Sequence, residues 1–212
     1  MIIVTFTSHG YEGYIPLLKQ CCDTYGITHR HYNEEWLHKR GEFKTHQDVF
    51  SARRGFGYWA WKPLVILDAF EHDDLVVYLD SSVVFERDPH EMVEKIVWAG
   101  AYEMMAFTNN VWTKRDAFVY MNCDNETYWH GSQFWGGAVV FHSDGRSMVE
   151  EWRDHAMDVR IISDNPNTCG LPNIHDFKEN RHDQSILSLL CLKYTHRVTR
   201  LTKCFRDRWD PK

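Results

Sequence analysis

The sequence has no excess of basic residues and no long apolar run. Its 24 Lys and Arg are outnumbered by 30 Asp and Glu, giving a formal net charge of −6. Binding to the phosphate backbone of nucleic acid needs a basic surface, so a nucleic-acid partner is not expected. No segment approaches the roughly 18 apolar residues of a membrane span, and residues 1–10 lack the basic flank and cleavage site of a secretory signal. We therefore predict a protein without a membrane span, located in the cytoplasm.

Several common site signatures are also missing. The six cysteines show neither the paired spacing of a zinc site nor the density of a disulfide scaffold. No HxxxH pair and no GxxxxGK[ST] phosphate loop is present. These absences argue against a structural zinc domain, a secreted disulfide-rich domain and a P-loop nucleotidase, and they fit a reducing compartment.

What the chain does contain is enough apolar sequence, 43% of 212 residues, for one substantial core. Short apolar runs alternate with segments of helical period, which is typical of an α/β fold with a mostly parallel mixed sheet flanked by helices. We predict a single domain over residues 1–212. The polar end RDRWDPK would suit the start of a linker to further domains of a longer polypeptide. Strands are predicted at 1–7, 75–85, 104–108, 133–141 and 198–201, and helices from Pro16, from 61 to about 70, at 88–99, around 148–156 and at 183–194.

Asp80 is the most informative residue. It follows the apolar run 75–79, so it is expected at the carboxyl end of a central strand, where open α/β sheets bind their ligands. A carboxylate there could hold a divalent cation that bridges to a diphosphate. The alternative, a turn-forming Asp bonded to its own backbone, stays open on position alone.

A second candidate lies between residues 53 and 63. Two glycines allow close backbone approach, while Arg53, Arg54 and Lys62 supply positive charge, with Lys62 at a predicted helix start. This segment could form half of a phosphate pocket, or it could be an aromatic core corner with a solvated basic edge.

Two further polar clusters are candidates. Residues 180–185 place Asp183 and Gln184 at the start of an apolar helix, where the helix dipole favours an ionised acid, although Asp183 could also be a simple N-cap. Residues 132–137 put two glycines inside a strand pattern, which indicates either close approach of another group or a bulge.

Taken in order, these features resemble the GT-A-fold glycosyltransferases that use nucleotide sugars, especially the glycogenin-like and capsule-type branches. The likeness spans most of the chain. It rests on five segments. Residues 4–7 resemble the strand that cradles the nucleotide base, and Lys62 resembles the lysine near the donor phosphates. Residues 78–82 resemble the end of the DxD strand, residues 134–141 the acceptor-side strand, and residues 182–187 the DQ-containing helix start.

The resemblance implies a transferase that moves a sugar from a UDP-sugar donor to a glycan acceptor with retention at the anomeric carbon, assisted by Mn²⁺ or Mg²⁺. It implies catalytic roles for Asp183, which would stabilise the oxocarbenium-like sugar, and for Gln184, which would hold sugar hydroxyls. The implied donor-site residues are Thr5, Thr7, Tyr11 or Tyr14 for base stacking, Arg54, Lys62, Asp80 as metal ligand, and Ser82.

Two departures from the family pattern stand out. Ser82 replaces the second Asp of DxD, and Trp135 stands where the glycogenin-like branch has Asn. Either His182 or His196 could stand for the family's metal-binding histidine, and the residues leave this open. The chain also resembles the amino-terminal domain of a large virus-encoded glycosyltransferase, which implies further domains and a host-cytoplasm location.

Two other functions compete with this interpretation. Nine Trp and ten Tyr could serve a non-catalytic carbohydrate-binding module, which needs neither Asp80 nor a nucleotide. A metal-dependent phosphohydrolase would need several clustered ligands around Asp80, which the sequence does not supply nearby.

Overall fold

The computed structural model describes residues 1–202 and 205–207. The linker prediction for the terminal RDRWDPK falls mostly on residues 208–212, outside the described part. Within the described residues there are eight strands: β1 (Ile2–Thr7), β2 (Thr28–Asn33), β3 (Leu75–Leu79), β4 (Val83–Phe85), β5 (Ala99–Thr108), β6 (Ser132–His142), β7 (Val198–Arg200) and β8 (Phe205–Asp207).

Six strands form one sheet in the order β2-β1-β3-β6-β5-β7. All pairs are parallel except β3–β6 and β5–β6, so β6 alone runs against its neighbours in this sheet. The remaining strands, β4 and β8, pair antiparallel in a small second sheet. This confirms the predicted mixed, mostly parallel architecture.

In the described part of the chain, four helices exceed two turns: α1 (Ile15–Thr24), α2 (Trp61–Ala69), α3 (Arg146–Ala156) and α4 (Asp183–Lys193). Pro16 lies in the first turn of α1 and Pro63 in that of α2, where the missing N–H costs no helical hydrogen bond. Shorter helical segments are Glu12–Tyr14, Glu34–His38, Gly41–Thr45, Gln47–Phe50, His90–Val93, Asn109–Trp112, Arg115–Tyr120, Glu126–Trp129, Ser143–Gly145 and Val159–Ile162. Among the described residues, no helix is long and apolar enough to cross a bilayer.

The sheet separates two apolar layers because successive strand residues point to opposite faces. Val76 and Tyr78 of β3 pack with α2, α3 and α4 on one face, where Trp152 is fully buried. Val77 and Leu79 pack with α1 and the β4–β8 sheet on the other face. The two layers fix the carboxyl end of β3 between them, and this end carries Asp80.

Two predicted elements between residues 88 and 108 have different bounds in the structure. The helix expected at 88–99 is a single turn, His90–Val93, because β5 already begins at Ala99. Gly100 explains the strand: a Cβ there would lie 2.8 Å from the Leu201 side chain, so this position needs a small residue in a tightly packed sheet. The strand expected at 104–108 is therefore the end of a ten-residue strand.

The apolar run 75–85 also breaks into two strands. Asp80 accepts a backbone hydrogen bond from Val83 at 2.9 Å, which turns the chain out of the large sheet and into the small one. In α1, Leu18 and Cys22 are buried, whereas Leu17 is 42% exposed.

Candidate functional site

Asp80 lies where the sequence predicts, directly after β3. Its backbone N–H donates to the carbonyl of Gly137 on β6 at 2.9 Å. Its Oδ1 accepts a 2.6 Å hydrogen bond from the Tyr78 hydroxyl and lies 3.3 Å from Nζ of Lys62. With 32% of its side chain exposed, Asp80 is anchored from below and open to solvent on one side.

Lys62 lies beneath this carboxylate rather than beside the solvent. Its ammonium is 3.1 Å from Oδ2 of Asp183 and donates to the Gly136 carbonyl at 3.0 Å, and the side chain is 4% exposed. Burial by itself would lower the pKa of Lys62, but the charges of Asp183 and Asp80 outweigh it and raise that pKa. Lys62 is therefore a buried, permanently charged cation held between two carboxylates.

Asp183 is the first residue of α4 and is as buried as Lys62. Burial raises its pKa to about 6, against the opposing pull of the Lys62 ammonium. The N-cap position belongs to His182 and makes no side-chain capping bond, so the simple capping role considered for Asp183 does not apply.

Gln184 is fixed in a chain of amides. Its Oε1 accepts from the Gly136 N–H at 3.3 Å, and its Nε2 donates to Oε1 of Gln133 at 3.0 Å. A Cβ added to Gly136 would lie 3.2 Å from Asp183 Oδ2 and 3.5 Å from Lys62 Nζ. Because residue 136 has no side chain, Lys62, Asp183 and Gln184 can all approach the backbone of β6 at this position.

A cavity of about 480 Å³, here called the Asp80 cavity, opens above this cluster. Nucleotide-sized ligands occupy pockets of this size range. Its lining combines hydroxyl, carboxylate, arginine and aromatic side chains: Phe6, Thr7, Ser8, His9, Tyr11, Glu34, Arg53, Gly55, Phe56, Trp59, Trp61, Asp80, Ser81, Ser82 and Asp207. The structure therefore brings four predicted donor-site residues together, namely Thr7, Tyr11, Asp80 and Ser82.

Other predicted donor-site residues lie elsewhere. Thr5 is fully buried and its hydroxyl donates to the Leu79 carbonyl. Tyr14 stacks with Tyr11 at a centroid distance of 6.4 Å but is not part of the lining. Arg54 points away, with Nη2 3.1 Å from Glu179. Lys62 lies behind the cavity floor and is likewise not part of the lining.

Arg53 lines the cavity in place of Arg54, the arginine expected at the donor site. It is exposed, and within residues 1–202 and 205–207 no carboxylate lies within ion-pair distance of it. Its neighbour Arg54 is held instead by Glu179 and, at 3.7 Å, by Asp164. The sequence offered two adjacent arginines, and only the backbone path decides which one faces the cavity.

That path is a left-handed helical turn. Gly55, Phe56, Gly57, Tyr58 and Trp59 have φ values of 57°, 49°, 85°, 55° and 59°. Left-handed backbone costs a non-glycine residue roughly 1–2 kcal/mol, so three of these five residues are strained. The turn carries two of its aromatic rings into the Asp80 cavity.

A fourth strained residue, on another segment, supports this turn. His182 has φ of 54° and stacks on the Tyr58 ring at a centroid distance of 4.7 Å. Its Nδ1 lies 2.7 Å from the Ile162 carbonyl, and burial lowers its pKa. Strain of this kind concentrates at functional sites, and here it is found on both segments that flank Lys62 and Asp183.

The Asp80 cavity offers two carboxylates and a hydroxyl that a divalent cation could use. Mg²⁺ is commonly held by one or two carboxylates together with phosphate oxygens and water, and Asp80 and Asp207 both line the cavity beside the Ser82 hydroxyl. Within the described part of the chain, no group of three or more His, Cys, Asp or Glu could hold a metal by itself. His182 and His196 do not line this cavity.

No family description and no curated protein matches the sequence. Among solved structures, the chain resembles apo WbbM, a bifunctional glycosyltransferase, with 14% identity, a TM-score of 0.54, and coverage of 95% of this chain and 38% of that one. Mouse xyloside xylosyltransferase 1 gives 7% identity, a TM-score of 0.49, and coverage of 95% and 85%. A glycosyltransferase involved in glycosylation of the major capsid of PBCV-1 gives 11% identity and a TM-score of 0.38, with coverage of 74% of this chain and 67% of that one.

The similarity to WbbM concerns the fold, and this chain spans 38% of the length of the WbbM chain. It confirms the predicted α/β architecture of GT-A type. The other two structures are too dissimilar to support an argument. The predictions of a viral source and of further domains stay predictions.

Proposed function

We propose that the chain is a glycosyltransferase that moves a sugar from a UDP-sugar to a saccharide acceptor, with retention at the anomeric carbon. One observation carries this proposal. Asp80 stands at the carboxyl end of a central strand, anchored by Tyr78 and Lys62, and lines a cavity of about 480 Å³ together with Arg53 and aromatic rings. Open α/β sheets bind ligands at this position. The WbbM-like fold agrees with the proposal.

The cavity supplies what a nucleoside diphosphate requires. Tyr11, 50% exposed at its rim, offers a face for the base. Arg53 offers a guanidinium whose paired donors match phosphate oxygens. Asp80, with Asp207 and Ser82, would hold Mn²⁺ or Mg²⁺, which when bound neutralises charge on the diphosphate.

In the proposed transfer, the acceptor oxygen forms a bond to the anomeric carbon, and the bond from that carbon to the diphosphate breaks. UDP leaves with the electron pair, and the proton of the acceptor hydroxyl passes to the departing diphosphate oxygen. Positive charge develops on the sugar carbon. In this proposal Asp183 stabilises that charge as a carboxylate and Gln184 holds sugar hydroxyls; neither residue lines the Asp80 cavity, so the sugar would have to reach past its lining toward Gly136 to meet them. Lys62 acts as a positioning residue because its contacts orient Asp80 and Asp183.

The test is a donor-binding comparison on the intact chain. Calorimetry with UDP, with and without Mn²⁺, is expected to show metal-dependent binding that Asp80→Asn weakens at least about tenfold, as the loss of a charged ligand predicts. Asp154→Asn, on an exposed face of α3, is the matched control and should bind normally. A panel of UDP-, GDP- and dTDP-sugars then identifies the donor.

Two outcomes contradict the proposal. Equal UDP affinity for the parent and the Asp80→Asn variant would show that Asp80 does not contribute to nucleotide binding. Binding of free sugars without any nucleotide binding would favour the carbohydrate-binding module instead.

A further inference from the structure

A second and larger cavity lies beside the Asp80 cavity. It measures about 620 Å³ and is here called the Trp135 cavity. Its lining is mostly apolar: Tyr102, Glu103, Met104, Met105, Ala106, Phe107, Trp135, Leu201, Thr202, Phe205 and Asp207. Asp207 lines both cavities, so the two adjoin at this residue.

Trp135 forms the wall between the cavity and the Asp80 region. A Cβ on Gly137 would lie 2.5 Å from the indole of Trp135, so the ring lies directly against the Gly137 backbone. The carbonyl of that same Gly137 accepts the Asp80 N–H at 2.9 Å. The indole therefore lies against the same residue whose carbonyl holds Asp80.

The outer lip of the cavity is apolar and open. The pairing of β5 with β6 shifts register between Met104 and Thr108, so residues 105–107 leave the regular ladder. Met105 is 81% exposed and Phe107 is 37% exposed. A contiguous exposed apolar patch beside a well-formed apolar cavity is typical of a ligand-binding site.

The charge of the cavity does not suit an anion. Among the described lining residues there is no Lys or Arg. The acidic groups of the described lining are Glu103, which is paired with Arg200, and Asp207, which lies at the junction of the two cavities. A neutral ligand with an apolar portion fits this arrangement best.

We propose that the Trp135 cavity binds the acceptor and that this acceptor is a glycoside with an apolar aglycone. Its reacting hydroxyl lies at the Asp207 end, where the cavities meet, and its aglycone runs past Trp135 toward Met105 and Phe107. This inference rests on the proposed function for the identity of the reaction, but the binding site stands on the cavity itself.

The test is binding of paired glycosides to the intact chain by calorimetry. Methyl and octyl β-glycosides of glucose, galactose and mannose are titrated below the micellar concentration of the octyl compounds. At about 0.8 kcal/mol per buried methylene, the octyl member of at least one pair should bind at least about tenfold more tightly than its methyl partner.

Three variants locate the binding. Trp135→Ala and Met105→Asp should each lower the octyl affinity at least fivefold, on the order of the apolar contact that each removes. Met105→Asp changes an exposed side chain and so keeps the assay valid if Trp135→Ala fails to fold. Leu171→Asp, at a 44% exposed leucine outside this cavity, is the control and should bind like the parent.

Equal affinity within every pair, no binding of any octyl glycoside, or equal loss in Met105→Asp and Leu171→Asp would overturn the inference. The inference would also be overturned if the parent, but not Met105→Asp, sedimented with phosphatidylcholine vesicles. In that case the exposed apolar side chains around Met105 would bind a lipid surface. If UDP-sugars are bound and hydrolysed but the octyl preference is absent, this inference alone fails. If octyl glycosides bind but nucleotides do not, the proposed function fails instead.

Discussion

The Lys62 ammonium lies 3.1 Å from the Asp183 carboxylate, and each of these side chains is only 4% exposed. Lys62 also reaches Asp80 at 3.3 Å, so one buried cation links the carboxylate at the cavity rim to the carboxylate at the start of α4. Removing the Lys62 charge leaves the buried Asp183 carboxylate without its nearest cation, and the cost can be measured.

Lys62→Met should destabilise the protein by about 3 kcal/mol or more at pH 8, because it leaves Asp183 buried and without its nearest cation. Urea unfolding measures this loss. Lys19→Met is the matched control: Lys19 pairs with Asp23 at 62% exposure, and such pairs contribute about 1 kcal/mol or less. Equal midpoints for the two variants would show that the buried pair contributes no more than a surface pair.

The stability contributed by Asp183 should depend on pH. Its pKa is raised from 3.8 to about 6 by burial, so the folded state holds the proton more tightly than the unfolded state. The resulting stability is present below pH 4 and is lost as the pH rises through 6, by about 3 kcal/mol. The Asp183→Asn variant lacks this titration. The unfolding free energy of Asp183→Asn minus that of the parent should therefore increase between pH 4 and pH 7. If this difference between the two proteins stays constant over that range, the pKa of Asp183 is not raised.

Asp183→Asn should also separate donor binding from transfer. The side chain lies outside the Asp80 cavity, so UDP affinity should stay within about twofold, whereas transfer should fall at least about a hundredfold once the carboxylate charge is gone. Transfer by the parent should increase as the pH rises through 6, since the ionised form is the active one. Titration of UDP and single-turnover transfer rates measure the two quantities, and equal transfer rates in the two proteins would refute the role.

Arg53 and Arg54 should differ in their effect on the donor. Arg53→Met removes the guanidinium that lines the Asp80 cavity and should weaken UDP binding about tenfold or more. Arg54→Met removes a side chain already held by Glu179 and should leave UDP affinity unchanged. Calorimetry on both variants decides, and a larger effect at Arg54 would reverse the assignment.

The left-handed turn should tolerate no Cβ at Gly55. A Cβ there would lie 2.3 Å from the Trp59 ring, at a φ of +57°. Gly55→Ala should therefore cost about 2–4 kcal/mol, from backbone strain and overlap together. Gly13→Ala, with no atom within 4 Å of its Cβ, is the control and should unfold like the parent. Similar thermal midpoints for both variants would show that the turn adjusts at little cost.

The sequence was sufficient for the sheet and for the position of Asp80. Apolar runs and proline positions predicted β1, β6, α2, α3 and α4 within one to three residues, because these elements lie in the buried layers and carry a clear period. The helix predicted at 88–99 was wrong at its carboxyl end, because Ala99 pairs with Phe141 of β6 and Val198 of β7, and this pairing overrides the helical propensity of alanine.

The details of the site were harder to predict. A lysine at a helix start suggests an exposed charge, and only the converging carboxylates of Asp80 and Asp183 make the burial of Lys62 tolerable. The choice between Arg53 and Arg54 depends on a left-handed turn, and this turn is held by packing against His182, which is 123 residues away along the chain from Trp59.

The direction of β6 has a consequence for how this chain tolerates insertions. Because β6 is antiparallel to its neighbours, its residues 135–137 lie next to the carboxyl end of β3. Trp135 lines the Trp135 cavity, and the Gly137 carbonyl holds the backbone of Asp80 at the Asp80 cavity. One extra amino acid between Trp135 and Gly136 would turn the indole to the opposite side of the sheet, since strand side chains alternate. Lineages of this protein should therefore vary in length on either side of this strand, but not within it.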